Sequence, residues 1–355
     1  MFQKDILVAV DCSTWRDPSK PVPSSLVGIS GYNTFNLVEV LLNISFATRH
    51  PTRTGMSVND YWAFLRYINC FEDSKDFKLN KDWKDVDAHQ KTILSDDFGM
   101  GFALYYLTKK MNLLTFVDTT YFLRHLPSLS TRHKSKNGPS KSPDFILMDE
   151  FYNIHLLECK GTQHSLNTLT KQMNNGIPQK RNINDPFGII DEKLVTGLFI
   201  PNFNSSNAAT FRIIDPEFAL DFSKVSKKEI IALSLQGQMA KELHLFGLNY
   251  LANKVANSVD LNEIRINEVI EAISSQDNVS YQQEGASKMS IFWEVQYNLS
   301  FLRKYDNKNI KTLYDLIEWM RESSNIKPSM LSQETDKGAI FESPFGLTIS
   351  AERQM

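Results

Sequence analysis

The chain has 355 residues, 42% of them hydrophobic, which is enough for two or three domains with a sizeable buried core. Lysine and arginine number 39 against 41 aspartates and glutamates, so the chain lacks the strongly basic composition of many nucleic-acid-binding proteins, and any such surface must be local. The three cysteines, Cys12, Cys70 and Cys159, are too few and too far apart for a disulfide framework or a zinc cluster, which indicates a reducing cytoplasm.

The sequence also predicts no membrane segment and no nucleotide-hydrolysing loop. The N-terminal MFQKDILVAV has charged residues before only a short apolar run, unlike a signal peptide. No segment approaches the ~18 apolar residues that span a bilayer. Neither of the glycine patterns typical of phosphate-binding loops is present, so the chain is not expected to hydrolyse ATP by itself.

The first part of the chain, residues 1–90, is interpreted as an N-terminal accessory region. Residues 5–10 predict a short buried strand, and residues 13–34, with several Pro, Ser and Gly, predict an irregular loop. Residues 35–47 fit a helix or a strand, and their length favours a helix. Residues 57–69 predict a helix whose aromatic face either packs in the core or stacks on bases.

A helix is predicted over residues 95–111, with Ser95 as its N-cap and two acids in the first turn, where carboxylates suit the helix dipole. A strand is predicted at 113–123. Residues 124–142 then form a basic loop without an acidic residue, which is either a solvated insert or a phosphate-binding segment; its place before the next strand favours phosphate contact. The loop residues expected to contact phosphate are Arg132, Lys134, Lys136 and Lys141.

Two apolar segments, PDFILMD (143–149) and NIHLLECK (153–160), predict a β-hairpin buried between helices. Three charged residues lie in it. Glu158 and Lys160 share a strand face, and antiparallel pairing brings Asp144 close to them. They form either an ordinary buried ion pair or a site with a divalent cation, because buried charge is costly unless it is compensated.

The Pro-Asp pair ending at Asp144, with the Glu-Cys-Lys run from Glu158 to Lys160, resembles the active-site motif of the PD-(D/E)XK nuclease superfamily. The resemblance covers roughly residues 95–200. It implies a restriction-endonuclease-like α/β core, with a central mixed sheet flanked by helices. It also implies a Mg²⁺ (or Mn²⁺) ion that assists phosphodiester hydrolysis.

The resemblance assigns roles to individual residues. Asp144, Glu158 and the backbone carbonyl of Cys159 correspond to the metal ligands, and Lys160 to the group that orients or deprotonates the attacking water. Many members carry an acid on the helix before the sheet, and Asp97 resembles that further ligand, although capping explains this acid equally well.

Residues 165–175 predict the next helix, and strands at 192–201 and 208–218 complete a nuclease core spanning 91–222. Further substrate contacts are expected near this helix, although the two basic residues among them also fit an ordinary surface. These expected contacts are Gln163, Gln172, Lys180 and Arg181.

Residues 223–355 predict a mostly helical C-terminal region. A capping box from Ser226 to Glu229 opens a helix that reaches about residue 256. Further helices are predicted at 260–276 and 310–322, and a terminal hairpin at 338–350.

These observations predict a metal-dependent DNA nuclease, and the resemblance points to restriction or anti-phage defence in a bacterium. A homodimer is expected because one site cuts one strand, and the protein either works alone or relies on an ATPase or helicase partner for translocation. Two alternatives remain: a non-catalytic nucleic-acid-binding or assembly subunit with a nuclease-like fold, and an RNA-directed nuclease.

Overall fold

The computed structural model describes residues 2–18, 20–52, 66–129, 142–176, 185–215, 221–276, 279–284, 290–298, 310–322 and 330–354. Several predicted features lie outside these residues. They are most of the aromatic helix at 57–69, the centre of the basic loop with Arg132, Lys134, Lys136 and Lys141, and the pair Lys180 and Arg181.

The described secondary structure mixes strands and helices throughout the chain. The first part contains β1 (Gln3–Val10), β2 (Gly31–Asn36), α1 (Leu37–Ala47), α2 (Ala88–Met111), β3 (Leu113–Asp118), α3 (Thr119–His125), β4 (Phe145–Asp149), β5 (Ile154–Thr162), α4 (Leu166–Gly176), β6 (Ile190–Phe199) and β7 (Thr210–Ile214). The second part contains α5 (Lys227–Leu245), α6 (Asn249–Asn257), α7 (Ile266–Ser274), β8 (Val279–Glu284), β9 (Ser290–Tyr297), α8 (Leu313–Glu322), β10 (Leu331–Thr335), β11 (Gly338–Glu342) and β12 (Leu347–Gln354).

A seven-stranded mixed sheet forms the centre of the molecule, in the order β2-β1-β7-β6-β5-β4-β3. β1 runs parallel to β7 and β5 parallel to β6, and the other neighbours are antiparallel. The prediction of an α/β fold with a mixed sheet flanked by helices is therefore confirmed. The boundary at residue 90 does not isolate a separate unit, because β1 and β2 belong to this sheet.

Helix α1 confirms the helical interpretation of residues 35–47, and Asn36 caps it by accepting from the Val38 amide at 2.9 Å. Helix α2 begins earlier than predicted, at Ala88, where the Asp87 side chain provides the cap. The prediction that Ser95 caps this helix is wrong, because Ser95 lies inside it. The acids at positions 96 and 97 are therefore not in the first turn, and capping does not account for them.

Helices α2 and α4 cover opposite faces of the central sheet. A Cβ atom on Gly161 of β5 would overlap the carbonyl oxygen of Ser95 in α2. A Cβ on Gly197 of β6 would instead meet Met173 of α4 at 2.5 Å. Because Gly197 pairs with Lys160, the residue before Gly161, the α4 face is the face that carries Lys160.

Helix α5 lies along the open edge of β3. The Lys241 ammonium donates to the Phe116 carbonyl at 3.2 Å, and the Gln238 side-chain oxygen accepts from the Phe116 amide at 3.4 Å. These contacts use backbone groups that an edge strand otherwise leaves unpaired. The predicted capping box of Ser226 and Glu229 at the start of α5 is confirmed. The long helix to residue 256 is in fact two helices, because Gly247 adopts a φ of 88° between them.

The C-terminal region contains a second sheet, antiparallel and five-stranded, in the order β10-β11-β12-β9-β8. The predicted terminal hairpin is confirmed as β11 and β12. The description of this region as mostly helical is corrected, because β8, β9 and β10 are strands as well. The sheet packs on α1, where Phe46 and Phe341 have ring centroids 5.3 Å apart. Among the described helices, none has the length and apolar character needed to cross a membrane.

Because Gly161 lies so close to α2, adding a single methyl group at this position should strongly destabilise the fold. Replacing Gly161 with Ala should lower the free energy of unfolding by about 3 kcal/mol, the upper part of the usual range for overpacking, because the obstacle is backbone. Urea unfolding followed by circular dichroism measures this loss.

Gly237→Ala is the matched control for this substitution. Its Cβ would meet only side chains, Val117 at 2.8 Å and Tyr121 at 3.0 Å, rather than a backbone carbonyl, and Ala favours the helix by about 1 kcal/mol. A loss at position 161 no larger than the loss at position 237 would contradict the proposed close approach of α2 and β5.

Candidate active site

The pairing of β4 with β5 brings two acidic side chains together. Phe145 is paired with Leu157, and continuing this antiparallel register by one residue places Asp144 opposite Glu158. Residues opposite each other in such a ladder share a sheet face, with Cβ atoms about 4.5–5.5 Å apart. Asp144 and Glu158 are therefore neighbours on one face, as the hairpin prediction required.

The Asp144 carboxylate is held by the backbone of the neighbouring strand. The Cys159 amide donates to its Oδ2 atom at 2.7 Å, and the Thr119 amide donates to its backbone carbonyl at 3.0 Å. Burial, followed by the charge of Glu158, raises the pKa of Asp144 to about 7, although the Cys159 hydrogen bond opposes this rise. At neutral pH Asp144 therefore resists carrying a negative charge beside Glu158.

Lys160 lies on the same strand face as Glu158 and forms an ion pair with its Oε1 atom. Burial alone would lower the pKa of Lys160, but the carboxylates of Glu158 and Asp144 outweigh it, so the pKa is raised. Lys160 is therefore charged at neutral pH. The Glu158 carboxylate is buried, and its Oε2 atom has no hydrogen-bond partner among the described residues.

The chemistry of these donors fits a hard divalent cation. The two opposed carboxylates repel each other, and one buried oxygen of Glu158 is unsatisfied. The Cys159 carbonyl lies on the same side of β5 as the amide that binds Asp144, because both backbone groups of a strand residue point the same way. Within the described part of the chain, no three His, Cys, Asp or Glu side chains form a metal-ligand group, so two carboxylates and a carbonyl would be the protein's ligands, completed by water.

The acid of α2 that approaches this cluster is Asp96, while Asp97 is not brought into it. The Tyr67 hydroxyl donates to Asp97 Oδ2 at 2.5 Å, and burial raises the pKa of Asp97 to about 6. Burial also raises the pKa of Asp96, but the Lys160 ammonium partly opposes that rise. The two acids are adjacent in sequence, and only the helix orientation distinguishes them.

The two glutamines predicted to contact substrate have different surroundings. Gln163 is almost fully buried: its Nε2 atom donates to the Ser95 hydroxyl at 3.0 Å, and its Oε1 atom accepts from the Trp83 indole at 2.8 Å. Gln163 therefore connects the end of β5 to α2. Gln172 lies on α4, and both glutamines, with Asp96, line a cavity of about 580 Å³ at the end of β5.

The structure adds a buried ion pair that sequence reasoning missed. Lys241 of α5 is fully buried, and its ammonium lies 2.9 Å from the Asp118 carboxylate at the end of β3. Asp118 in turn contributes to the raised pKa of Asp144. An acid ending an apolar strand was the available signal for Asp118. Lys241 had none, because it arrives from a distant helix.

The thiol of Cys159 does not take part in this chemistry. It is buried, and burial followed by the charge of Asp144 raises its pKa above the ordinary value for cysteine. A thiolate is the reactive form of cysteine, so this environment disfavours a nucleophilic role.

Comparison of the chain with protein-family models, with curated proteins and with solved structures found no match. The interpretation of this site therefore depends on the positions and charges of its own residues.

The raised pKa of Asp144 predicts a pH-dependent stability difference. The Asp144 carboxyl ionises near its usual pKa of 3.8 in the unfolded chain and near 7 in the folded protein. The folded state therefore binds this proton more tightly, and the free energy of unfolding falls as pH rises between these two values. Asp144→Asn, which never ionises, should melt at a higher temperature than wild type in EDTA. The difference in melting temperature between the variant and wild type should grow from about pH 5 to about pH 8.

Differential scanning fluorimetry across this pH range measures the margin. Asp336→Asn, in the exposed turn between β10 and β11, is the matched control and should show no growing margin. A margin for Asp144→Asn that is constant or shrinks with pH would contradict the buried, repelled carboxylate.

Proposed function

We propose that the chain is a metal-dependent nuclease of the PD-(D/E)XK type, with a restriction-endonuclease-like core, that hydrolyses phosphodiester bonds of DNA. One observation carries the proposal: Asp144 and Glu158 oppose each other across β4 and β5, and Lys160 is ion-paired beside them. Glu158 is buried and Asp144 half-buried, and a pair of like charges in such a place is unfavourable unless it serves a bound cation or a reaction.

Each residue of the site would have a different role in phosphodiester hydrolysis. Asp144, Glu158 and the Cys159 carbonyl would hold Mg²⁺ or Mn²⁺, which when bound supplies Lewis-acid stabilisation of the phosphoryl oxygens. Lys160 stays charged at neutral pH, so it orients the attacking water and stabilises developing negative charge rather than removing a proton. The Cys159 amide fixes the position of the Asp144 carboxylate.

The wider setting of the activity follows from the resemblance. It includes a role in restriction or anti-phage defence, a cytoplasmic location, a homodimer that cuts both strands, and an ATPase or helicase partner. The DNA backbone would be bound by the basic positions Arg132, Lys134, Lys136, Lys141, Lys180 and Arg181.

A non-catalytic nucleic-acid-binding subunit is the second candidate. It is favoured by the ion pair in which Lys160 occupies one oxygen of Glu158, since an ion pair can be purely structural. An RNA-directed nuclease would use the same site, because phosphodiester chemistry is common to both nucleic acids.

A cleavage assay tests the proposal. The purified protein is incubated with supercoiled, linear and single-stranded DNA and with RNA, in Mg²⁺, Mn²⁺ or EDTA. Cutting should require the metal, and Asp144→Ala and Lys160→Ala should each lower its rate by about a hundredfold or more.

Asp336→Ala and Lys337→Ala provide controls of the same residue types in an exposed turn, and they should cut at the wild-type rate. Cutting that survives both active-site substitutions would overturn the proposal. Metal-dependent cutting of RNA alone would favour the RNA-directed alternative. Nucleic-acid binding without cutting in any metal would favour the non-catalytic subunit.

A further inference from the structure

The cavity beside the candidate active site has the composition of a small polar ligand site. It has a volume of about 580 Å³ and is lined by α2, by Gly161 and Thr162 directly after Lys160, and by residues that follow β6. Asp96 marks the side next to Lys160, because this acid both lines the cavity and is influenced by the lysine's charge. A molecule in the cavity would therefore lie adjacent to the proposed reaction centre.

The cavity wall carries amide side chains that can both donate and accept hydrogen bonds. Gln172 contributes from α4, and Asn202 and Asn204 contribute from the segment after β6. Amides are the side chains that pair with the polar edge of a nucleobase.

An aromatic ring and two cations complete the wall. Phe203 lies between the two asparagines in sequence, and it is 39% exposed despite its large apolar side chain. Lys84 and Lys91 line the cavity from the side of α2 and its preceding turn, and the Lys91 ammonium is held there by donating to the Lys84 carbonyl at 2.6 Å. An exposed ring offers a stacking surface for any base, and lysine ammonium groups attract the phosphate that accompanies it.

We propose that this cavity binds one unpaired nucleotide of the nucleic-acid strand that the adjacent site cuts. The base stacks on Phe203 and meets the amides of Gln172, Asn202 and Asn204, while Lys84 and Lys91 face its phosphate. This inference rests on the proposed nuclease function and narrows its substrate to strands that present an unpaired base, at an end, a flap or a single-stranded region.

The volume of the cavity supports a single nucleotide. Sites for small ligands have volumes of about 300–1,000 Å³, and the cavity lies within this range. A double helix, whose major groove alone is about 12 Å wide, cannot enter it. A base within a duplex would first have to leave the stack, which costs a few kcal/mol, and an already unpaired base avoids this cost.

A binding assay in EDTA tests the inference without requiring cleavage. Fluorescence anisotropy compares a labelled single strand of mixed sequence with an abasic strand that has the same number of phosphates, and with a blunt duplex. Wild type should bind the base-containing strand most tightly. Phe203→Ala should reduce the preference for that strand over the abasic strand by roughly tenfold, the effect of losing one stacking contact.

Two control variants distinguish the loss of the stacking ring from a general loss of structure. Phe203→Trp should keep the preference, because it keeps an aromatic surface. Tyr250→Ala removes an aromatic residue that is 87% exposed on α6 and should leave every affinity unchanged.

Equal affinity of wild type for the base-containing and abasic strands would overturn the inference, and so would an unchanged preference in Phe203→Ala or equally tight binding of the blunt duplex. These failures are distinguishable from failure of the proposed function. Cleavage with no base preference would reject the cavity assignment alone, whereas base preference without cleavage would reject the nuclease alone.

Discussion

Two carboxylates that face each other across a pair of buried strands are the constraint on which the site depends. Asp144 and Glu158 are neighbours because of the β4–β5 register, and their mutual repulsion is a cost of the folded state. The surrounding groups reduce this cost: the Cys159 amide binds Asp144, and Lys160 pairs with Glu158. The proposed cation would offset the repulsion that remains between the two carboxylates.

The register between β4 and β5 determines whether the two carboxylates lie on the same face of the sheet. Side chains alternate along a strand, so a shift of one residue between β4 and β5 would send Asp144 to the opposite face from Glu158. Two features fix the position of these strands: the tight turn after Asp149, whose carboxylate accepts from the Phe151 and Asn153 amides, and the contact of Gly161 with α2. The geometry of neighbouring residues thus determines whether the two carboxylates meet.

Sequence reasoning predicted the features that local periodicity encodes. The hairpin, α4 and the capping box of α5 follow from apolar spacing and end signals, and the charged positions of β5 follow from alternation. It did not locate the start of α2, because Ser95 has the composition of a cap and Asp87 is the actual one. The sequence also favoured Asp97 as the further acid, although Asp96 is the one near Lys160, and it did not reveal Lys241, since both depend on how a helix is rotated against the sheet.

The position of α5 along β3 bears on how the strands that carry the proposed site could be reused in evolution or engineering. A fragment covering residues 91–222 would contain Asp144, Glu158 and Lys160, yet it would lack both β1 and the helix that supplies Lys241 to the outer strand. Its outermost strands would then be free to pair with other chains and aggregate. The β4–β5 hairpin therefore cannot be moved into another protein by itself. Segments that lie far from it in the sequence cover the sheet edges on either side. A protein that received these residues would need new segments to cover both edges.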